Sequence, residues 1–219
     1  MAVMELATPK AEEPDFGFLI TNVELPPLCH PKFRPGPPSD HAQVVSNLVS
    51  DIIVNSKCVN LKDLCIASDK LAWVLYCDIV CIDNDGSVVD ACIISLVASL
   101  KTLTLPSVKY DLETGTIVVD DTVRTPLNVH GLPVPTSFAV YKSLQSTVIL
   151  TDPTSYEEEM SGSLGSCMIV CCNRGVLCGI QKFGGSSIST DIEEEALKMA
   201  KEREKLVENV IGTCLKNIK

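Results

Sequence analysis

The chain has 219 residues, 46% of them hydrophobic and 21% charged, with a formal net charge of −10. That length and apolar share support a sizeable core in one or two domains and exclude a globally disordered chain. The acidic balance argues against a free-standing nucleic-acid binder, which is usually basic, while leaving room for RNA contact inside a larger assembly.

In chain order, residues 1–15 are weakly patterned, and Phe16 to Leu25 is apolar enough for a strand. Pro26 to Pro38 holds six prolines and one glycine and must be a loop, with Lys32 and Arg34 as its charges. Ser39 or Asp40 can cap the next helix, with Gln43 answering in a capping box. That helix runs to about Asn55 and turns Val45, Leu48, Val49, Ile52 and Ile53 inward. A short extended piece at Leu64–Ile66 precedes a turn at Asp69-Lys70.

Leu71 to Ile82 is almost wholly apolar, β-branched and aromatic, which predicts a strand covered on both faces. Asp83-Asn84-Asp85-Gly86 is a turn. Val88 to Leu100 then has helical length, with Val89, Ile93, Leu96 and Leu100 on one stripe and Val88, Cys92 and Val97 widening it. Asp90 falls in the first turn, where a negative charge suits the helix dipole. Everything else must pack on this pair.

Further strands are predicted at Ser107–Tyr110 and Thr116–Val119, with Glu113-Thr114-Gly115 between them, and at Thr136–Tyr141, Thr147–Thr151, Gly165–Cys172 and Val176–Lys182. Asn173-Arg174-Gly175 closes the last hairpin. Thr190 to Glu193 reads as a capping box for a final helix over about 191–217. Its predicted stripe is Ile192, Leu197, Ala200, Val207, Ile211, Cys214 and Ile218. Helices and hairpins come in runs, which favours α+β.

Candidate chemistry is sparse. The eleven cysteines form no C-x-x-C, and the only histidines are His30, His41 and His130. Cys77/Cys81 and Cys167/Cys171/Cys172 sit on apolar runs, so they read as small core hydrophobes in a reducing compartment rather than as zinc ligands. No cofactor is expected. No apolar run follows a basic start to mark a signal peptide, and none reaches the ~18 residues of a membrane helix. Asp152 with Glu157, Glu158 and Glu159 can hold a metal or do acid–base work, but adjacent glutamates on a loop are more simply a solvated edge. Gly184-Gly185-Ser186-Ser187 can present N–H groups to a phosphate. It lacks the P-loop lysine, and a tight strand-to-helix turn accounts for it. Lys32 and Arg34 can touch nucleic-acid phosphates. Ser137, Ser163 and the histidines make no nucleophile motif, and no G-x-S-x-G occurs.

Several runs are familiar as a set. They are Asn22-Val23-Glu24-Leu25-Pro26-Pro27-Leu28-Cys29 with Phe33-Arg34-Pro35-Gly36-Pro37-Pro38; Leu71-Ala72-Trp73-Val74-Leu75-Tyr76-Cys77-Asp78 followed by Asp85-Gly86 and Asp90-Ala91; Pro135-Thr136-Ser137-Phe138-Ala139-Val140; Asp152-Pro153-Thr154 with Glu157-Glu158-Glu159; and Lys182-Phe183-Gly184-Gly185-Ser186. In order, and over nearly the whole chain, they resemble the non-catalytic RNase PH-like ring subunits of the eukaryotic RNA exosome. The resemblance implies an α+β, RNase PH-like (ribosomal protein S5 domain 2-like) fold in a single domain, with a first part at 1–105 and a second at 106–219. It implies a six-membered ring of related subunits under RNA-binding cap proteins, with RNA threaded through to a separate nuclease. It also implies 3′-to-5′ RNA decay and ribosomal RNA maturation in nucleus, nucleolus and cytoplasm, with no membrane partner.

Active relatives use phosphate as the attacking group and need arginines to hold that dianion against RNA's charge. Their Gly-Gly-Thr-Arg-like turn is here Asp85-Gly86-Ser87-Val88-Val89, with a valine, Val89, near the arginine position. A second arginine, at the start of the earlier helix, is replaced by Ser39 or Asp40. Of two aspartates six apart, Asp152 matches the first and Glu158 stands at the second. A third acid, before a Met, is replaced by Cys167 before Met168. The resemblance therefore implies a structural subunit with no catalytic residue, and a phosphate-dependent 3′-to-5′ exoribonuclease is the alternative. It also implies N-terminal strands ahead of MAVMEL, so a chain beginning there is expected to be less stable than an extended one.

Overall fold

The computed structural model describes residues 2–111, 114–143 and 146–218. The elements run β1 (Ala2–Ala7), β2 (Phe18–Glu24), α1 (Asp40–Ser56), a 3-10 turn (Leu61–Leu64), β3 (Cys65–Ala67), β4 (Leu71–Val80), α2 (Val88–Thr102), β5 (Thr104–Tyr110), β6 (Ile117–Pro126), β7 (Val134–Lys142), β8 (Thr147–Thr151), α3 (Ser155–Leu164), β9 (Gly165–Asn173), β10 (Val176–Lys182) and α4 (Thr190–Ile218). No described helix is long and apolar enough to cross a membrane.

Four layers stack on the β4–α2 pair. β4 is the centre of the first sheet, antiparallel to β1 and β3 and parallel to β2. It is buried on both faces from Leu71 to Leu75 and opens to solvent at Val80. Trp73, Leu75 and Cys77 on one face meet Val45, Val49 and Ile52 of α1 and Ile93, Leu96 and Leu100 of α2. Val134, Ile169 and Cys171 close the same core from the second sheet, an antiparallel β10-β9-β7-β8. The other face of that sheet carries Phe138, Met168, Val170 and Cys172 against Ala196 and Ala200 of α4. Burying a Val, Leu or Ile side chain in this way stabilises by roughly 1.5–3 kcal/mol each, so the stripe of α2 is enough to fix its place.

The structure corrects the sequence reading at several ends. Ser39 caps α1 by accepting from the Ala42 N–H, and Gln43 turns back to the Pro38 carbonyl, so no capping box forms there. The first helical bond of α4 runs from Glu193 N–H to the Ser189 carbonyl, which places the cap one residue before Thr190. The buried seam of α4 is Ala196, Ala200 and Glu204, whereas Cys214 is exposed. Of the predicted stripe, Ala200 is buried and Leu197, Val207 and Ile211 pack half-buried against the cores, whereas Ala196 and Glu204 lie outside the prediction. Glu157–Glu159 belong to α3 rather than to a loop: Thr154 and Glu157 form a full capping box that starts the helix. β6 runs seven residues beyond the predicted strand and is exposed along its whole length. Of the turn at 113–115, Glu113 lies outside the described residues, while the Gly115 N–H donates to the Asp111 carbonyl.

Candidate functional site

The end of β4, the turn after it, the start of α2 and the start of α3 meet in one place. The Cys81 N–H donates to Glu24 and the Asn84 N–H to Cys29, which ties the turn to β2 and to the proline loop. Gly86 has φ +96, and a Cβ there would collide with the Pro153 carbonyl and the start of α3. The position therefore needs glycine both for its backbone angle and for the close approach. Ser87 follows in the left-handed region and makes no side-chain cap to α2. Its hydroxyl donates instead to the Pro153 carbonyl at 3.2 Å, and its N–H donates to Glu158 Oε1 at 2.8 Å.

Asp90, one turn into α2, is 2% exposed. Its carboxylate accepts from the Ser137 N–H at 3.0 Å and the Ser137 hydroxyl at 2.8 Å, and Arg203 of α4 lies 3.2 Å away. Burial still wins over these contacts and holds the Asp90 carboxyl above its ordinary range; Arg203 and Ser137 pull it back. Asp152, in a left-handed conformation, donates its N–H to the Ser137 carbonyl and stands 4.0 Å from Arg203.

A cleft of about 320 Å³ opens beside this network. Val89, Glu158 and Cys167 all line it, together with Ser87, Ser137 and His41, and its remaining walls are largely apolar, with Val44, Leu48 and Phe183 among them. Of the four positions that the sequence reading assigned to a degenerate site, Val89, Glu158 and Cys167 share one cleft, and Asp152 connects to it through Ser137, whose carbonyl accepts the Asp152 N–H. Burial raises the Glu158 carboxyl, opposed first by the Ser87 N–H and then by Lys32. Burial also raises the Cys167 thiol, whose sulfur lies 2.8 Å from the Ser161 hydroxyl. His41 is lowered by burial and then by Lys32.

Of the two loop cations, Lys32 belongs here: its Nζ is 3.9 Å from Glu159 and 5.5 Å from the Phe33 ring centroid. Arg34 does not. It lines a separate groove with Asn22, Glu24 and the loop prolines. The Gly184–Ser187 loop is spent on packing, since Gly185 sits against the Gly165 carbonyl, which accepts the Ser186 N–H at 3.0 Å. A larger cleft of about 510 Å³ between β2 and α1 holds none of the predicted site residues. Burial lifts the Cys77 thiol to about 11 and that of Cys92 to about 12, as expected of core cysteines. No group of three or more His, Cys, Asp or Glu among the described residues is placed to hold a metal ion.

Sequence reasoning named Asp90 and Ser87 without giving either a place in the site, and it did not single out Arg203. For Asp90 a signal existed, an acid inside a helix apolar on most of its surface. Arg203, on a face of mixed charge, had none.

Comparison with known proteins identifies the family. Residues 1–106 match the model of the 3′ exoribonuclease family, domain 1 (RNase PH). The chain is 35% identical over 199 residues to the exosome complex component rrp43 of Schizosaccharomyces pombe, covering 91% of this chain and 72% of that protein. It is 33% identical over 215 residues to the exosome complex component Rrp42 of Thermococcus gammatolerans, covering 96% and 76%. Among solved structures it superposes on a chain of the Archaeoglobus fulgidus exosome with RNA bound to the active site, with a TM-score of 0.77, 26% identity and coverage of 95% and 76%. Sequence and fold agree: the chain belongs to the RNase PH family, with the exosome components of the Rrp43 and Rrp42 types.

Proposed function

We propose that the chain is a structural, catalytically inactive ring subunit of the RNA exosome that supports 3′-to-5′ RNA processing and degradation, including rRNA maturation and mRNA turnover. One observation carries this reading. Where an attacking phosphate would have to be held, the cleft presents Val88, Val89 and the Glu158 carboxylate, and its nearest cations are already paired. Lys32 faces Glu159, and Arg203 faces Asp90 and Asp152. A phosphate dianion brought beside Glu158 meets like charge, and among the described residues no arginine lines the cleft to offset it. Asp152, Glu158, Val89 and Cys167 are thus degenerate forms of a family active site, within one RNase PH-like domain whose two parts meet near residue 105.

The proposed partners are other RNase PH-like ring subunits, cap proteins and RNA threaded through the ring, and the proposed places of work are nucleus, nucleolus and cytoplasm; the exosome relatives support ring membership. Exposed apolar residues support assembly. β6 displays Ile117, Val118, Val119 and Val123, and α4 displays Leu206 and Val210. The decisive assay incubates the chain, alone and with its ring neighbour, with single-stranded RNA, phosphate and Mg²⁺. No nucleoside diphosphate is expected, and release that disappears in Asp152→Ala would overturn the reading.

RNA contact is proposed to be phosphate-directed and sequence-blind, with Lys32 and Arg34 as the path residues. Arg34 makes no ion pair or hydrogen bond among the described residues, so it contributes more than Lys32. In the assembled ring, Arg34→Glu is expected to weaken RNA protection at low salt more than Lys32→Glu does, with the difference shrinking as salt rises.

A further inference from the structure

We propose that the cleft between β2 and the last turns of α1 is a binding site for a small apolar anion, an alkyl or aryl carboxylate. This site is separate from the candidate cleft beside α3, with which it shares no lining residue.

The cleft holds about 510 Å³, within the roughly 300–1,000 Å³ of small-molecule sites. Two ties bound it. At one end Ser46 of α1 bridges the edge of β2: its hydroxyl accepts from the Val23 N–H at 3.3 Å and donates to the Thr21 carbonyl at 3.4 Å. At the other end the Gly17 N–H donates to the Leu61 carbonyl at 2.9 Å. These ties take up edge groups that an added strand would need, so the occupant is a compact molecule and not an extended peptide. Between them the walls are Phe16, Leu19, Ile53, Val54, Val59 and Leu61, which suit an alkyl or aryl body. Ser50, on the α1 wall, is too small to close the gap. Thr21 lines the β2 side, and its hydroxyl is buried with no hydrogen-bond partner among the described residues, a loose end that packing alone leaves unexplained.

The charge of the site selects an anion. The chain carries a formal net charge of −10, yet among the described residues no Asp or Glu lines this cleft, whereas Lys57 and His130 do. The end of a helix ordinarily repels an anion through its free carbonyls. Here those carbonyls are occupied. That of Ile53 accepts from the Ser56 hydroxyl at 2.9 Å, and that of Val54 from the Lys57 N–H at 3.2 Å. The Ser56 carbonyl accepts from the Asn173 amide at 3.2 Å, and the Cys58 carbonyl from the His130 N–H at 2.6 Å. Lys57 itself follows α1 in the left-handed region, is exposed, and makes no ion pair among the described residues. An apolar trough with one uncommitted ammonium beside it fits a molecule with a greasy body and a carboxylate end.

The test titrates the full chain with two fluorescent probes of one ring system: anilinonaphthalene sulfonate, which is anionic, and phenylnaphthylamine, which is neutral. Saturable binding of one sulfonate probe per chain is expected, with displacement by decanoate. Lys57→Glu should weaken the sulfonate probe by about fivefold, the reach of an exposed ion pair, and leave the neutral probe unchanged. Ser50→Trp fills the trough and should abolish binding of both. If Ser50→Trp does not fold, Val54→Glu at an exposed position decides in its place and must weaken the sulfonate probe. The proposal is overturned if Lys57→Glu leaves the sulfonate probe unchanged, if decanoate displaces nothing, or if the probe still binds after Ser50→Trp. Equal weakening of both probes by Lys57→Glu overturns it too, and would make the cleft an apolar dock for a protein partner.

Discussion

Replacing Arg203 with methionine is expected to destabilise the protein by about 3–5 kcal/mol at pH 8, because it leaves the Asp90 carboxylate buried without its cation. Asp90 is 2% exposed and Arg203 lies 3.2 Å away. Methionine keeps most of the apolar stem, so the loss reports the charge rather than the packing. The loss should depend on pH. Asp90 is already held above its ordinary carboxyl range by burial, and without Arg203 it rises further. When a folded-state pKa is raised, the folded chain holds its proton where the unfolded chain has lost it. Stability then falls as pH climbs from the ordinary carboxyl value through the raised one. The variant should therefore lose more at pH 8 than at pH 5. Asp90→Asn in the same background removes the charge while keeping groups that can pair with Ser137, and it should restore much of the loss. Urea denaturation at the two pH values measures all of this. A pH-independent loss, or no rescue by Asp90→Asn, would contradict the account.

Phe138→Ala is expected to cost about 3–5 kcal/mol, the usual range for emptying a buried aromatic site. Phe138 is 0% exposed and sits in the second core with Met168, Val170, Ala196 and Ala200. The neighbours on α4 are alanines, which cannot swing in to fill the space, so the cavity persists. The residue also forms part of the cleft wall between Ser137 and the start of β9. A loss of this size is a large part of the about 5–15 kcal/mol that separates folded from unfolded domains. Phe138→Leu keeps more of the volume and should lose clearly less. Equal losses in the two variants would mean that the aromatic shape, and not the void, sets the cost.

Most regular elements were legible from the chain. The apolar run from Leu71, the stripe of α2 and the inward positions of α1 need only local periodicity, because one buried face imposes a period of 2 or 3.6 on the sequence. β8 and β10 fall at the predicted residues because turn formers bracket them on both sides. What failed was α3, whose capping box is local but whose other supports are remote in sequence. α3 has little apolar stripe to announce it; it is held by its capping box, by the Tyr141 hydroxyl on the Glu157 carbonyl and by Glu158 on Ser87. Thr154-x-x-Glu157 is a capping-box spelling, but with no apolar run after it the three glutamates read equally as a solvated loop.

The sequence by itself determined the α+β order and the family, because motif spacing and hydrophobic period are written along one dimension. Only the tertiary structure decided that Val89, Glu158 and Cys167 share a cleft, that Lys32 belongs beside it while Arg34 does not, and that Arg203 neutralises Asp90. Those facts rest on contacts between residues tens to more than a hundred positions apart. Nothing in the local pattern of either partner encodes such a contact, because side-chain charge and hydrogen bonding act through distance in space, and the layered packing sets that distance.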